Sequence, residues 1–108
     1  MLNASLIVSI VRKGWGSRVL EASVKAGARG GTVLFGRGAG IHEQEKIFGM
    51  SIEPEKEIVL TITRPEQVDT ILREIVRAAE LNDTGRGIAF VLPVDRVVGV
   101  AHFMSQTP

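Results

Sequence analysis

The sequence predicts an α+β fold: two consecutive strand–helix–strand halves, their four strands forming one antiparallel sheet with both helices on one face. Three observations predict it. Short, β-branched apolar runs alternate with segments of helical apolar spacing. The order is strand–helix–strand, a long irregular interval, then strand–helix–strand again. The chain has 108 residues, one domain's worth.

The first strand is Leu6-Ile7-Val8-Ser9-Ile10-Val11, a β-branched run broken by Gly14-Trp15-Gly16. Ser17 then stands where a helix N-cap is expected. Val19, Leu20, Ala22, Val24 and Ala26 supply an apolar helix face, and Gly27 is placed to end it in a positive-φ conformation. Thr32-Val33-Leu34-Phe35 is the second strand. From Gly36 to about Glu55 periodicity fails, with Gly36, Gly38, Gly40, Gly49 and Pro54 punctuating a polar segment. An irregular interval of this length in a small domain points to a binding loop.

Glu57 to Thr63 alternates apolar and polar residues, the pattern of a half-buried strand. Thr63-Arg64-Pro65-Glu66 has capping-box spacing with Pro in the first turn. Val68, Ile71, Leu72, Ile75, Val76 and Ala79 follow at helical spacing. Asn82 to Gly87 is a glycine-punctuated loop, and Ile88 to Leu92 is the fourth strand, which Pro93 should limit in pairing. Val97-Val98-Gly99-Val100 is short and apolar, expected to pack on a neighbouring surface.

This order is the split-βαβ, ferredoxin-like arrangement, with right-handed crossovers. Apolar residues on both faces of the first and third strands predict that another subunit covers the sheet face opposite the helices. Aromatic residues are only 5% of the chain, so the core is built from Val, Ile, Leu and Ala.

Composition excludes several functions. Hydrophobic residues at 44% and charged ones at 23% fit a packed soluble domain. A net charge of +1 argues against non-specific nucleic-acid binding, which needs a basic surface. No apolar run approaches the ~18 residues that span a bilayer. The start of the chain does not have the layout of a secretion signal, its apolar stretch preceding its basic residues. Without cysteine there is no disulfide, thiol nucleophile or thiolate metal site. A cytoplasmic protein is the expectation.

Two glycine-rich segments carry the most chemistry: Gly36-Arg37-Gly38-Ala39-Gly40 and Thr84-Gly85-Arg86-Gly87. Glycine lets the backbone approach a ligand, successive amides can hold an anion, and each Arg can pair bidentately with phosphate. Neither segment matches a dinucleotide fingerprint or a P-loop. Each alone reads as a turn; together they point equally to phosphate binding. His42-Glu43-Gln44-Glu45 groups metal-ligand types, yet with one His it reads better as solvated loop charge. His102 has no chemical role in this reading. Trp15 is a core or interface anchor, or a lid over a ligand base. No nucleophile or acid–base pair stands out, so an enzyme is not expected.

Gly27-Ala28-Arg29-Gly30-Gly31-Thr32-Val33, the long loop before Glu57-Ile58-Val59-Leu60, Thr84 to Val91, and Val94-Asp95-Arg96-Val97-Val98 together resemble nitrogen-regulatory PII signalling proteins. The resemblance runs from about Leu6 to Val100. It implies a single domain over 1–108, with a long flexible T-loop at 36–56, a phosphate-binding loop at 82–87 and a C-terminal segment at 95–108. It further implies a homotrimer with an adenine nucleotide (ATP, ADP or AMP, with magnesium as a candidate companion) in clefts between subunits. Nucleotide would reshape the T-loop, which docks on a membrane transporter or an enzyme. The implied nucleotide-binding set is Thr32, Gly36, Arg37, Gly38, Gly40, Gly85, Arg86 and Gly87. Where the family has two phosphate-binding arginines near the C-terminus, this chain has Gly99 and Ala101, which speaks against triphosphate affinity and for a smaller nucleotide, such as ADP or AMP, or another ligand. The family's Arg-Gln pair after the base glycines is Ile41-His42 here, and with no Tyr in the chain the T-loop has no uridylylation site. A second reading is a trimer of the same architecture similar to the copper-tolerance CutA proteins, binding metal or an anion through His42 and Glu45.

Overall fold

A computed structural model describes residues 3–40, 45–47, 50–52 and 54–99, with the two triplets described by their main chain alone. In chain order the elements are β1 (Ala4–Arg12), α1 (Gly16–Lys25), β2 (Thr32–Arg37), β3 (Glu45–Ile47), β4 (Met50–Ile52), β5 (Glu55–Thr63), α2 (Val68–Ala79) and β6 (Gly87–Val94). A 3-10 turn, Pro65–Gln67, leads into α2. The main sheet has strand order β2-β5-β1-β6, every neighbouring pair antiparallel. It is the expected ferredoxin-like sheet with two helices packed on one face.

Strand alternation divides the residues between the faces. Ile7 and Val11 of β1 and Val59 of β5 point to the helices, where they meet Val19 of α1 and Ile71, Ile75 and Ala79 of α2. All seven side chains are fully buried. The opposite face is a grid set by the register. Thr32, Leu60, Val8 and Phe90 form one row; Leu34, Ile58, Ile10 and Ile88 form the next; Ile62, Leu6 and Leu92 form a third. No element of the described chain lies over this grid, and Ile88, Phe90 and Leu92 are 57%, 41% and 46% exposed.

Several local expectations are corrected. Ser17 does not cap α1. The helix begins at Gly16, and Glu57 on β5 accepts a hydrogen bond from the Gly16 N–H at 2.7 Å. A Cβ at position 16 would run into that carboxylate, which explains the glycine. The capping box at Thr63–Glu66 does not form. The Thr63 hydroxyl donates to Gln67 Oε1 at 3.0 Å, and the N-cap of the turn, Arg64, makes no side-chain cap. Gly27 does take positive φ, +122°. Pro93 does not stop β6, because β6 is an edge strand and its ladder runs on to Val94 opposite Ala4. The interval after Gly36 is more regular than its composition suggests: β2 continues to Arg37, β5 starts at Glu55, and β3 and β4 pair as a two-stranded ladder. Val98 is 88% exposed, so nothing described in this chain covers it.

Candidate functional site

The antiparallel register gathers four segments at one end of the sheet. Arg37 on β2 lies opposite Glu55 on β5, Arg12 on β1 opposite Lys56, and Val11 opposite Gly87 on β6. The base of the long loop is pinned there, because the Gly38 N–H donates to the Pro54 carbonyl at 3.1 Å. On the open face at this end is a groove of about 330 Å³, lined by Ile10, Gly36, Arg37, Gly38, Ala39, Gly40, Lys56, Ile58 and Ile88. A second cleft of about 470 Å³ lies beside it, lined by Lys13, Phe35, Gly36, Arg37, Glu55 and Lys56. Phe35 stands 77% exposed on its rim.

Cations dominate this end. Lys13 Nζ pairs with Glu55 Oε2 at 2.8 Å. The hydrogen bond and charge of Lys13 lower the Glu55 carboxyl pKa from its ordinary value, with a smaller contribution from Arg37. Glu55 in turn raises the Lys13 ammonium, again mainly through their hydrogen bond. Arg12, Arg37 and Lys56 add charge along the same strand ends, so the region suits an anionic ligand.

The 82–87 loop lies at the same end but on the far edge of the sheet. It leaves α2 through Glu80 in the left-handed conformation (φ 55°) and passes Gly85 at φ 79°. Gly87 is demanded by packing. With φ at 141°, a Cβ there would strike the Ile10 carbonyl oxygen and lie 3.2 Å from Val11 Cα. Arg12 Nε donates to the Gly85 carbonyl at 3.1 Å, tying the loop to β1. The Arg86 guanidinium lies 3.4 Å from Glu80 Oε1 and 5.2 Å from the centroid of the Trp15 ring. Arg18 lies over that same ring at 4.1 Å.

The structure thus brings Gly36, Arg37, Gly38 and Gly40 together in one groove, with Gly87 adjacent to its Ile88 wall. Gly85 and Arg86 share the sheet end but not the groove lining. Thr32 is exposed at the start of β2, opposite Leu60 and hence mid-sheet, roughly 13 Å along the strand from Gly36 at ~3.3 Å per residue. The two glycine segments are separated by β5 and β1, about 14 Å at ~4.8 Å per strand. The two segments therefore lie on opposite edges of the sheet. Sequence reading does not find Arg12, Lys13, Lys56 and Glu80 as neighbours of these segments. Their only sequence signal is a charge at a strand or helix end, which is common on any surface.

Trp15 does pack against the core cluster, as an anchor would. Among the described residues no group of three or more His, Asp or Glu could hold a metal. Ile41, His42, Gly49, Val100, Ala101 and His102 lie outside the described residues, as does the Glu45 side chain; Gly99 is described, at φ 85°. No described helix is long and apolar enough to cross a membrane.

The chain matches the family model for nitrogen regulatory protein P-II over residues 4–102. It is 33% identical, over 87% of its length and 86% of the relative's, to nitrogen regulatory protein P-II 2 of the archaeon Methanothermobacter thermautotrophicus. Its fold is similar to the crystal structure of Arabidopsis thaliana PII bound to citrate, with TM-score 0.71 and 28% identity, covering 93% of this chain and 85% of that one. With the sheet order, the helix layer and the family match extending along nearly all of its length, the chain belongs to the nitrogen regulatory protein P-II family.

Proposed function

We propose that this chain is a cytoplasmic signalling protein that assembles as a homotrimer and binds an adenine nucleotide between neighbouring subunits. Through the T-loop, residues 36–56, it then controls a transporter or an enzyme. The observation that carries this reading is the placement of the two glycine–arginine segments at one sheet end but on opposite edges. Two copies set edge to edge would make one cleft from the 36–40 segment of one and the 82–87 loop of the other. The uncovered apolar grid supplies a surface for such assembly.

In that cleft, the amides and positive charge at Gly36, Arg37, Gly38 and Gly40 would face the phosphates from the T-loop side. Gly85, Arg86 and Gly87 would face them from the other, and Thr32 lies farther along β2 on the base side. Loss of the family's C-terminal arginines at Gly99 and Ala101 favours a nucleotide with fewer phosphates than ATP, each missing charge-assisted contact being worth ~1.5–3 kcal/mol. The Arabidopsis relative holds citrate, a small polyanion, and this cation-rich strand end suits an anionic effector too. A ligand touching Gly38 and Gly40 sits at the pinned base of the long loop, so binding can shift the loop between arrangements. In this reading the role is regulation by binding.

Calorimetric titration with ATP, ADP and AMP, with and without magnesium, on protein of known solution mass tests this. The expected result is about one nucleotide per subunit of a trimer, with ADP or AMP preferred, and binding lost in Arg86→Ala. No binding of any of the three at millimolar concentration removes the nucleotide reading.

A further inference from the structure

The Arg86 side chain is already engaged before any ligand arrives. Its guanidinium lies 3.4 Å from Glu80 Oε1 and its Cζ is 5.2 Å from the Trp15 ring centroid. The ring itself is held in place by the core cluster and by Arg18 at 4.1 Å. Glu80 is held at the end of α2, where its N–H donates to the Arg77 carbonyl at 3.4 Å. Arg86 is the member that can swing, through its long side chain, while the backbone on either side is held by the Arg12–Gly85 hydrogen bond and by the close approach of Gly87 to β1. Both ends of the Arg86–Glu80 pair are part-exposed, 31% and 43%, the regime in which an ion pair is weak. A phosphate offering two oxygens in the guanidinium plane is the stronger partner.

We propose that Arg86 is a latch. Without ligand it rests on Glu80 and Trp15, and an anion at the 82–87 loop draws it off both. Glu80 is then an internal competitor that sets affinity, and Trp15 is the seat whose emission reports occupancy. This deepens the anion-site reading above and rests on it, but its own readout is separable. The chain has one Trp and no Tyr, so intrinsic fluorescence comes from the latch alone. Breaking an exposed pair of this kind changes an equilibrium about 1.4- to 5-fold.

The test compares the full-length wild type with Glu80→Gln, Arg86→Ala and Glu74→Gln. The last removes an equal charge from α2, taken from the Arg77 pair. Calorimetry with ADP and fluorescence titration with ADP and with inorganic pyrophosphate are run at ~0.15 M salt, where the screening length is about 8 Å. Circular dichroism establishes that each variant is folded. We expect Glu80→Gln to bind ADP about two- to five-fold more tightly and Glu74→Gln to bind as wild type. Trp15 emission should shift on binding, and in Arg86→Ala it should start at the shifted position and ignore both probes. ADP binding to wild type with unchanged Trp15 emission overturns the latch. So does a Glu80→Gln affinity no tighter than that of Glu74→Gln. If ADP does not bind but pyrophosphate shifts the emission, the nucleotide reading falls and the latch stands. If calorimetry detects no ADP binding and neither probe shifts the emission, both fall.

Discussion

If the chain assembles as the proposed trimer, Phe90→Asp should leave it a folded monomer. Phe90 lies in the row Thr32–Leu60–Val8–Phe90 on the face away from the helices, 41% exposed. Around it Leu34, Ile62, Ile88 and Leu92 are 44%, 37%, 57% and 46% exposed, and with Phe90 these fractions add up to slightly more than two whole side chains. At ~1.5–3 kcal/mol for each fully buried large apolar side chain, covering them contributes about 3–7 kcal/mol per subunit. Losing the exposed part of Phe90 forfeits roughly 1 kcal/mol of that. A carboxylate in its place adds a desolvation cost of several kcal/mol, and three-fold symmetry repeats the cost in every subunit. The sum outweighs the gain, while in the monomer the introduced carboxylate stays in water at little cost. Sedimentation equilibrium reads this directly: wild type as three copies of an 11.7 kDa chain, the variant as one. A variant that keeps the trimer mass, or a wild type that sediments as a monomer, refutes the reasoning.

Three further outcomes are expected. Gly87→Ala should destabilise the fold by about 3 kcal/mol or more in urea denaturation, because positive-φ strain of ~1–3 kcal/mol adds to a collision with the Ile10 carbonyl, which cannot move without breaking the β1–β6 ladder. Ile75→Ala, at a fully buried position between α2 and the sheet, should cost about 2–5 kcal/mol by the same assay. Lys13→Met should raise the Glu55 carboxyl pKa back toward its ordinary value, followed by carbon-detected NMR titration. Since Glu55 is lowered and Lys13 raised by their contact, the pair favours the folded state between their two ordinary values. That contribution fades as pH falls through the folded Glu55 pKa or rises through that of Lys13. An unchanged Glu55 titration in Lys13→Met removes the pair as the cause.

Much of the architecture is legible in local patterns. The β-branched run of β1, the alternation of β5 and the Val68–Ala79 periodicity each place an element, since side chains two apart in a strand and three or four apart in a helix share a face. The glycine at 27 is readable because a helix end calls for positive φ. The expected cap at Thr63 fails locally, its hydroxyl donating to Gln67, whereas the one at Ser17 fails for a reason outside its neighbourhood. A polar residue before a helix is a local signal, but the group that satisfies the first N–H of α1 comes from Glu57, 41 residues away. The short β3–β4 ladder is invisible to pattern reading because three-residue strands carry too little alternation to register.

The candidate site divides along the same line. Residue order alone supplies the inventory: two glycine–arginine segments, one Trp, no Tyr, no Cys, and the succession of strands and helices. Those are properties of neighbouring residues, and local chain geometry limits what each segment can become. It takes the folded chain to set β5 and β1 between β2 and β6, which puts the two segments at one end on opposite edges. Among the described residues, folding likewise leaves one face of the sheet uncovered, brings Arg12 to Gly85, and seats Arg86 on Glu80 and Trp15. Each of these joins residues distant in the chain through strand pairing and helix packing, and such contacts depend on which surfaces exclude water together rather than on any residue's immediate neighbours.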